Sequence, residues 1–254
     1  MHLERLIKLL ETIAAAGRAL SVNELHGLTG YPKPTCYRLV QDLASHGLIE
    51  AEGKGVYGLG QRVLRLALVG RSDADIRLAA ASILKEGADA HGAAFFLSRL
   101  RGEGVEIIHV ETPADARVSF VHPGLGFRPM HACSCAKAIA AFSGEALQKR
   151  ASDGDLRAYT AKTAIDGAVV RAEFDAIRAR GFAECVEEIE IGVASVAAPV
   201  HLSGAGAPVS IGATGTIRMF GPARRRALGE ALIDLAGRLS AVLEAGYLSE
   251  VAAE

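Results

Sequence analysis

Apolar side chains recur every three or four residues at the start of the chain, which is the spacing of one face of a helix. The first set predicts an amphipathic helix over residues 3–16 that ends near Gly17, and it consists of Leu3, Leu6, Ile7, Leu10, Ile13 and Ala14. A second set falls at i, i+3, i+4 and i+7 and predicts a helix that ends at Gly47; it consists of Cys36, Leu39, Val40 and Leu43.

A short helix is predicted between these two. Ser21 and Glu24 have the spacing of a capping box, in which each side chain satisfies a backbone N–H of the other residue. Leu25 and Leu28 are then expected on one face of this helix, and Thr29-Gly30-Tyr31 interrupts it. A helix, a tight break and a second helix together indicate a helix-turn-helix.

The outer face of the second helix carries side chains that are suited to DNA. Pro34 fits the first turn of this helix, where its missing N–H costs no hydrogen bond. The residues that can reach phosphates or base edges in a major groove are Lys33, Thr35, Tyr37, Arg38 and Gln41. We therefore predict a recognition helix here, with these five residues as DNA contacts.

A β-hairpin is predicted after the recognition helix. Residues 48–60 read LIEAEGKGVYGLG, in which two short apolar runs flank a glycine-rich turn. Lys54 lies at the tip of that turn and is a predicted phosphate contact. Three helices and a hairpin form a winged helix-turn-helix, predicted over residues 1–60, and a linker helix is predicted at 61–71 within a boundary region of 61–75.

The remaining residues, 76–254, alternate between strand and helix patterns. A hairpin is predicted from AAFFLSRL and VEIIHV, and two further strands from VASVAAPVHL and PVSIGATGTI. Helices are predicted at about 74–90, with Ser72-Asp73 as its cap, and at HACSCAKAIAAF, Arg171–Arg180 and Pro222 to about Leu248. This order predicts an α+β domain with a mainly antiparallel sheet.

Composition narrows the functional classes. Half of the 254 residues are apolar, which is enough for a full hydrophobic core. The formal net charge is −1, so the overall charge does not indicate nucleic-acid binding. The first 71 residues hold nine basic and six acidic side chains, a mild excess, so DNA binding rests on the motif. Without an apolar run of about 18 residues or a signal-peptide pattern, we expect a cytoplasmic protein with reduced thiols. No nucleophile, phosphate-loop or metalloprotease motif is present, so we expect neither an enzyme nor a cofactor.

The chain resembles the IclR family of bacterial transcriptional regulators over nearly its whole length. The N-terminal signs are TGYPKPTCYRL and the hairpin ending VYGLG. The C-terminal signs are HACSCAKAIAAF, similar to a His-Ala-x-x-x-Gly-Lys helix start, the threonine pair of TAKT, and GFAECVEEIEIGVASVAAPV. The resemblance implies a GAF-like effector-binding domain after the winged helix. It also implies homodimers or homotetramers that bind a palindromic operator and respond to a small organic acid or related metabolite.

The same resemblance implies an effector site at the start of the helix in HACSCAKAIAAF. The matching positions are Cys133, Ser134, Cys135, Cys185, Ser195, Gly212 and Thr214. A helix N-terminus suits a carboxylate because its first N–H groups lack partners in the helix. In family members that bind small keto acids, an Asp matches Cys185 and a Ser matches Gly212, and the motif glycine matches Ala136. These differences predict a less polar wall and a different or larger effector than a keto acid.

Some side chains allow a second interpretation. His131, Cys133 and Cys135 form H-x-C-x-C, and Cys185 lies apart in the chain, so a thiol- or metal-responsive sensor is an alternative to buried pocket residues. Lys137 is expected to pair with an acid. Glu187 and Glu188 are expected to stabilise a loop rather than to act in acid–base catalysis. Arg224-Arg225-Arg226 is expected to be a solvated face at a helix start.

Overall fold

The computed structural model describes residues 2–70, 72–115, 120–203 and 206–251, and within them it forms two compact units. One unit is built mainly from residues 1–71 and the other mainly from 72–242. The predicted domain limits of 1–60, 61–75 and 76–254 stay a prediction, and the last residue of the predicted linker helix, Arg71, lies outside the described residues.

The first unit is a winged helix-turn-helix, as predicted. Its helices are α1 (His2–Ala16), α2 (Val22–Thr29), α3 (Lys33–Ser45) and α4 (Gln61–Gly70). Its strands are β1 (Leu20–Ser21), β2 (Ile49–Ala51) and β3 (Val56–Leu59), which form an antiparallel sheet in the order β1-β3-β2. The two-residue strand β1 escaped sequence analysis because such a short segment carries no period-2 pattern.

The core of this unit is the apolar stripe of α3 packed against α1 and α2. Every residue of the predicted stripe is buried, together with Leu9, Ile13 and Leu25 of the two preceding helices. Leu28 lies on the same helix as Leu25, three residues on, but it is 61% exposed. The eight-residue helix α2 buries only Val22 and Leu25, so the turn that carries Leu28 adds nothing to the core.

The second unit is an α+β domain around one antiparallel sheet, also as predicted. Its strands are β4 (Ala94–Arg101), β5 (Gly104–Glu111), β6 (Gly126–Arg128), β7 (Ala183–Val186), β8 (Val193–Leu202) and β9 (Gly206–Thr216). They lie in the order β6-β5-β4-β9-β8-β7. Its helices are α5 (Asp73–His91), α6 (Ser134–Ala141), α7 (Glu145–Asp153), α8 (Gly167–Arg180) and α9 (Pro222–Val251).

Helices cover both faces of the six-stranded sheet. Alternate residues of β4 point to opposite faces. Phe95 packs against Gly87 of α5, and Phe96 joins the core that α6 and α8 form on the other face. The edge elements β6, β7 and α7 were not predicted, because three- and four-residue strands and a mostly polar helix leave weak periodicity. In the described part of the chain, no helix is both long and apolar enough to cross a membrane.

Candidate functional site

The outer face of α3 is a polar surface on a rigid support. Four buried residues hold the helix, while Lys33, Tyr37, Arg38 and Gln41 are exposed and Thr35 is half-buried. Tyr37 leaves 56% of its surface in solvent, which is unusual for a large aromatic side chain. The fold therefore leaves the five side chains predicted on this helix at least partly open to solvent.

The turn before α3 sets the direction of this helix through local hydrogen bonds. Gly30 ends α2 in the left-handed conformation, with φ of 73°. The Thr29 hydroxyl donates to the Leu25 carbonyl at 2.6 Å and accepts from the Tyr31 N–H at 3.3 Å. A ring nitrogen of His26 lies 2.6 Å from the Tyr31 carbonyl. These contacts tie the end of α2 to the start of α3.

The start of α2 is fixed by the predicted capping box. The Glu24 N–H donates to the Ser21 hydroxyl at 3.3 Å, and the Ser21 N–H donates to the Glu24 carboxylate at 2.8 Å. The Ser21 hydrogen bonds and the guanidinium of Arg18 lower the pKa of Glu24 to about 2. In the wing, Lys54 is exposed in the turn between β2 and β3, where sequence analysis placed it.

The predicted effector site lies where α6 begins above the sheet. Cys133 is the N-cap residue of α6 and makes no side-chain capping hydrogen bond. Ser134 is fully buried, and its hydroxyl lies 2.7 Å from the hydroxyl of Ser195 on β8. The helix start therefore meets the strands through a pair of hydroxyl groups.

Strand register brings the other predicted positions to the same face. Cys185 pairs with Ser195, and Ser195 pairs with Thr214, so these three side chains lie side by side. Gly212 lies next to Phe96, and a Cβ added to Gly212 would meet the Phe96 ring at 2.3 Å. The missing side chain at position 212 thus makes room for an aromatic ring. The Phe96 ring takes up this space, so the missing side chain does not enlarge the site at this position.

A buried ion pair lies one turn into α6. Lys137 has no exposed surface, and its Nζ lies 2.8 Å from carboxylate oxygens of both Glu173 and Glu188. Burial lowers the pKa of Lys137, but the two carboxylates outweigh it and the pKa is raised overall. Burial also raises the pKa of Glu188 despite its contact with Lys137. The expected acid partner exists, and Glu173 is a second partner that sequence analysis missed.

The turn that carries Glu188 is held by the predicted threonine pair. Thr160 donates to the Glu187 carbonyl at 2.7 Å, and the Thr163 hydroxyl donates to the Glu188 carbonyl. Glu187 has φ of 57°, and its carboxylate accepts from the Gly192 N–H at 2.9 Å. Glu187 therefore stabilises this local turn, as expected, whereas the carboxylate of Glu188 reaches beyond the turn to Lys137 of α6.

Sequence analysis missed a pair of serines and an arginine near the start of α6. The serines lie far from α6 in the sequence, and the arginine lies in an edge strand. Ser98 and Ser210 lie on neighbouring strands with their hydroxyls 2.6 Å apart, and Ser210 donates to the Cys135 carbonyl at 3.3 Å. Arg128 donates to the carbonyls of Pro123 and Gly124, each at 2.7 Å, while its buried Nε has no partner within the described residues.

The cysteines form a close pair rather than a metal centre. The sulfur atoms of Cys133 and Cys135 are 3.4 Å apart. The Nε2 atom of His131 lies at hydrogen-bond distance, 3.0 Å, from the carbonyl oxygen of Arg157. Across the residues that the structure describes, no group of three or more His, Cys, Asp or Glu side chains is arranged to hold a metal ion. Burial raises the pKa of Cys185 to about 12.

The prediction for the arginine run at the start of α9 holds only in part. Arg226 is exposed, but the Arg225 side chain is largely buried and lies 3.3 Å from the carboxylate of Glu184. Arg224 donates to the His91 carbonyl at 2.6 Å. The run joins α9 to neighbouring elements of the second unit because its arginines reach across to their backbone and carboxylate oxygens.

A winged helix-turn-helix in one unit and an α+β domain with buried hydroxyl groups at the start of α6 in the other are typical of a DNA-binding regulator with an effector domain. Residues 2–53 match the family model for the IclR helix-turn-helix domain, and residues 71–241 match the model for the C-terminal domain of bacterial IclR transcriptional regulators. The chain belongs to the IclR family. This family consists of transcriptional regulators, which are not enzymes.

Known proteins resemble the chain over most of its length. A glycerol operon regulatory protein of Streptomyces griseus is 32% identical over 248 residues, which cover 96% of each chain. The crystal structure of a putative IclR regulator from Silicibacter sp. TM1040 is 26% identical, covers 96% of each chain and has a TM-score of 0.63. An IclR homologue from Microbacterium hydrocarbonoxydans, solved with 4-hydroxybenzoate, is 21% identical with a TM-score of 0.61 and covers 96% of this chain and 100% of that one.

Proposed function

We propose that this protein binds a palindromic operator as a homodimer or homotetramer and that a small organic metabolite modulates this binding. The observation that carries the proposal is the outer face of α3. It exposes Lys33, Tyr37, Arg38 and Gln41 on a helix whose opposite face is buried. Two such helices in one dimer fit two half-sites about 34 Å apart, so the operator should be a pseudo-palindrome.

Within this proposal, Arg38 contacts a base edge or a phosphate, and Thr35 and Lys54 contact the phosphate backbone of the DNA. An arginine that bonds a guanine edge typically contributes about 1–3 kcal/mol of discrimination. Arg38→Ala is therefore expected to weaken operator binding by roughly 5- to 150-fold. Tyr37→Ala is expected to weaken it as well, because it removes an exposed aromatic contact.

The test is fluorescence anisotropy with DNA from upstream of the protein's own gene, beside a scrambled duplex, at two salt concentrations. Lys149→Ala is the matched control, because it removes one positive charge from an exposed position on α7. The parent and the control should bind the natural duplex alike, and the affinity should fall with salt as counterions are recaptured. If Arg38→Ala and Tyr37→Ala both bind like the parent, α3 is not the recognition helix.

The effector is proposed to be a small organic acid whose carboxylate meets the first turn of α6. The uncapped N-terminus and the hydroxyls of Ser134, Ser195 and Thr214 support this assignment, and so does the positive charge of Arg128. Cys133, Cys135, Cys185 and Gly212 would form the less polar part of the same site. A ligand changes DNA binding only if it binds one state of the protein more tightly than the other.

The ligand proposal is tested by thermal unfolding with two probes of different charge. 4-Hydroxybenzoate carries a carboxylate and occurs with one structural relative, while glycerol is uncharged and occurs in the name of the Streptomyces relatives. A panel of other small carboxylates extends the first probe. Stabilisation by carboxylates and not by glycerol supports an acid effector. Stabilisation by glycerol alone would contradict it.

A further inference from the structure

The two thiols at the start of α6 are arranged for a reaction with each other. Cys133 and Cys135 flank Ser134, and their sulfur atoms lie 3.4 Å apart. A disulfide bond is about 2.05 Å long, so the sulfurs must approach by about 1.4 Å. Cys133 is the N-cap residue of α6 and Cys135 lies in its first turn, so side-chain rotation can supply much of this movement.

The surroundings favour ionisation of one member of the pair. Burial raises the pKa of Cys135, but hydrogen bonds from Cys133 and Ser98 and the charge of Arg128 outweigh it and lower the pKa below its usual value. The pKa of Cys133 is raised by its hydrogen bond to Cys135 and by burial. This difference favours Cys135 as the attacking thiolate and Cys133 as the resolving thiol within the pair.

We propose that Cys133 and Cys135 form a reversible disulfide when a small oxidant such as hydrogen peroxide reaches the start of α6, and that this oxidation alters DNA binding. The consequence for DNA rests on the proposed function, whereas the formation of the disulfide does not. Oxidant and effector would then act on the same helix turn. Ser134 lies between the two cysteines, and it contacts Ser195, which is another residue of the proposed effector site.

The reaction balances with peroxide as the oxidant. The Cys135 thiolate attacks one peroxide oxygen, the O–O bond breaks, and a sulfenic acid and hydroxide form. The Cys133 sulfur then attacks the sulfenic sulfur, the S–S bond forms, and the S–O bond breaks. The second hydroxide leaves with the Cys133 proton as water, and the first hydroxide takes the proton that Cys135 released. Two thiols are oxidised and one peroxide is reduced to two water molecules.

The disulfide can be detected by peptide mass spectrometry of the intact, folded protein after peroxide treatment and alkylation. Trypsin leaves Cys133 and Cys135 together on residues 118–137, because Arg128 precedes a proline. Cys36 and Cys185 fall on separate peptides and serve as internal controls. We expect this peptide to lose two hydrogen atoms and escape alkylation, while Cys36 and Cys185 stay alkylated. Dithiothreitol should restore both thiols.

Cysteine variants test which two thiols form the disulfide, and the operator Kd provides a second measurement. Cys185→Ser should form the same disulfide, and Cys135→Ser should not. A cross-link between residues 118–137 and the Cys185 peptide, or two free thiols after peroxide, would overturn the pair. In the anisotropy assay, oxidation should change the operator Kd of the parent by about fivefold or more, and peroxide should leave the Kd of Cys135→Ser unchanged, because that variant lacks the attacking thiolate. An unchanged Kd in a fully oxidised parent would refute the link to DNA, and binding by the reduced protein tests the proposed function separately.

Discussion

Removing the positive charge of Lys137 should strongly destabilise the second unit, because this charge is buried between two carboxylates. The Lys137→Met variant keeps most of the side-chain volume but leaves Glu173 and Glu188 facing each other without a cation. Breaking a buried ion pair by removing one partner costs about 3–5 kcal/mol. The carboxylates keep 24% and 13% of their side-chain surface exposed, so water offsets part of the loss and we expect about 3 kcal/mol. For a unit of this size, that lowers the Tm by about 6–12 °C.

The destabilisation by Lys137→Met should depend on pH, and the pKa shifts of Lys137 and Glu188 give the direction of this dependence. The pKa of Lys137 is raised in the folded state, so its contribution is complete below its unfolded pKa and is lost only as pH rises through the higher folded value. The pKa of Glu188 is also raised, so the folded state gains stability as pH falls and the carboxyl is protonated. Without Lys137 the pKa of Glu188 must rise further. The Tm difference between parent and Lys137→Met should therefore be large at about pH 7 and smaller at about pH 5.

Calorimetry of the full chain at both pH values is the assay. Lys162→Met is the control, because its exposed side chain pairs with the carboxylate of Glu187 next to Glu188, and losing such a pair should lower the Tm by no more than about 4 °C. The double variant Lys137→Met, Glu188→Gln should recover part of the loss because it removes one of the two stranded charges. A Tm difference that is absent, or that does not change with pH, would refute the reasoning.

Three glycine substitutions test how backbone conformation and side-chain packing contribute to stability. Gly27 and Gly30 both have open space where a Cβ would go, but only Gly30 has a positive φ, of 73°. By urea unfolding, Gly27→Ala in α2 should stabilise by about 0.5–1 kcal/mol, whereas Gly30→Ala should destabilise by about 1–2 kcal/mol; equal effects would contradict the conformational argument. Gly212→Ala should cost about 1–3 kcal/mol because its Cβ meets the Phe96 ring. Phe96→Leu in the same chain should relieve part of that cost, and additive losses would show that the two side chains do not compete.

Periodicity predicted the strong elements of both units and missed the weak ones. The stripe of α3 and the long strands β8 and β9 carry many apolar residues at one spacing, so they could be recognised without tertiary information. The helix α7 and the edge strand β7 could not, because a short element adds few residues to any pattern. Leu28 fits a helical pattern but is exposed, since the pattern does not say how far a partner surface extends.

The sequence by itself determined the class of protein, through the family resemblance of its motifs, and also the helix-turn-helix with the polar outer face of α3, because that face depends on local spacing, caps and turns within about 60 residues. Only the tertiary structure decided which distant groups meet. The contacts of Lys137 with Glu173 and Glu188 join residues 36 and 51 positions apart, and Ser134 meets Ser195 across 61 positions. Strand order and register bring such residues together, and no local pattern encodes them. The Cys133–Cys135 pair lies between these cases: its spacing is visible in the sequence, but the 3.4 Å approach of the sulfurs is set by how α6 packs on the sheet.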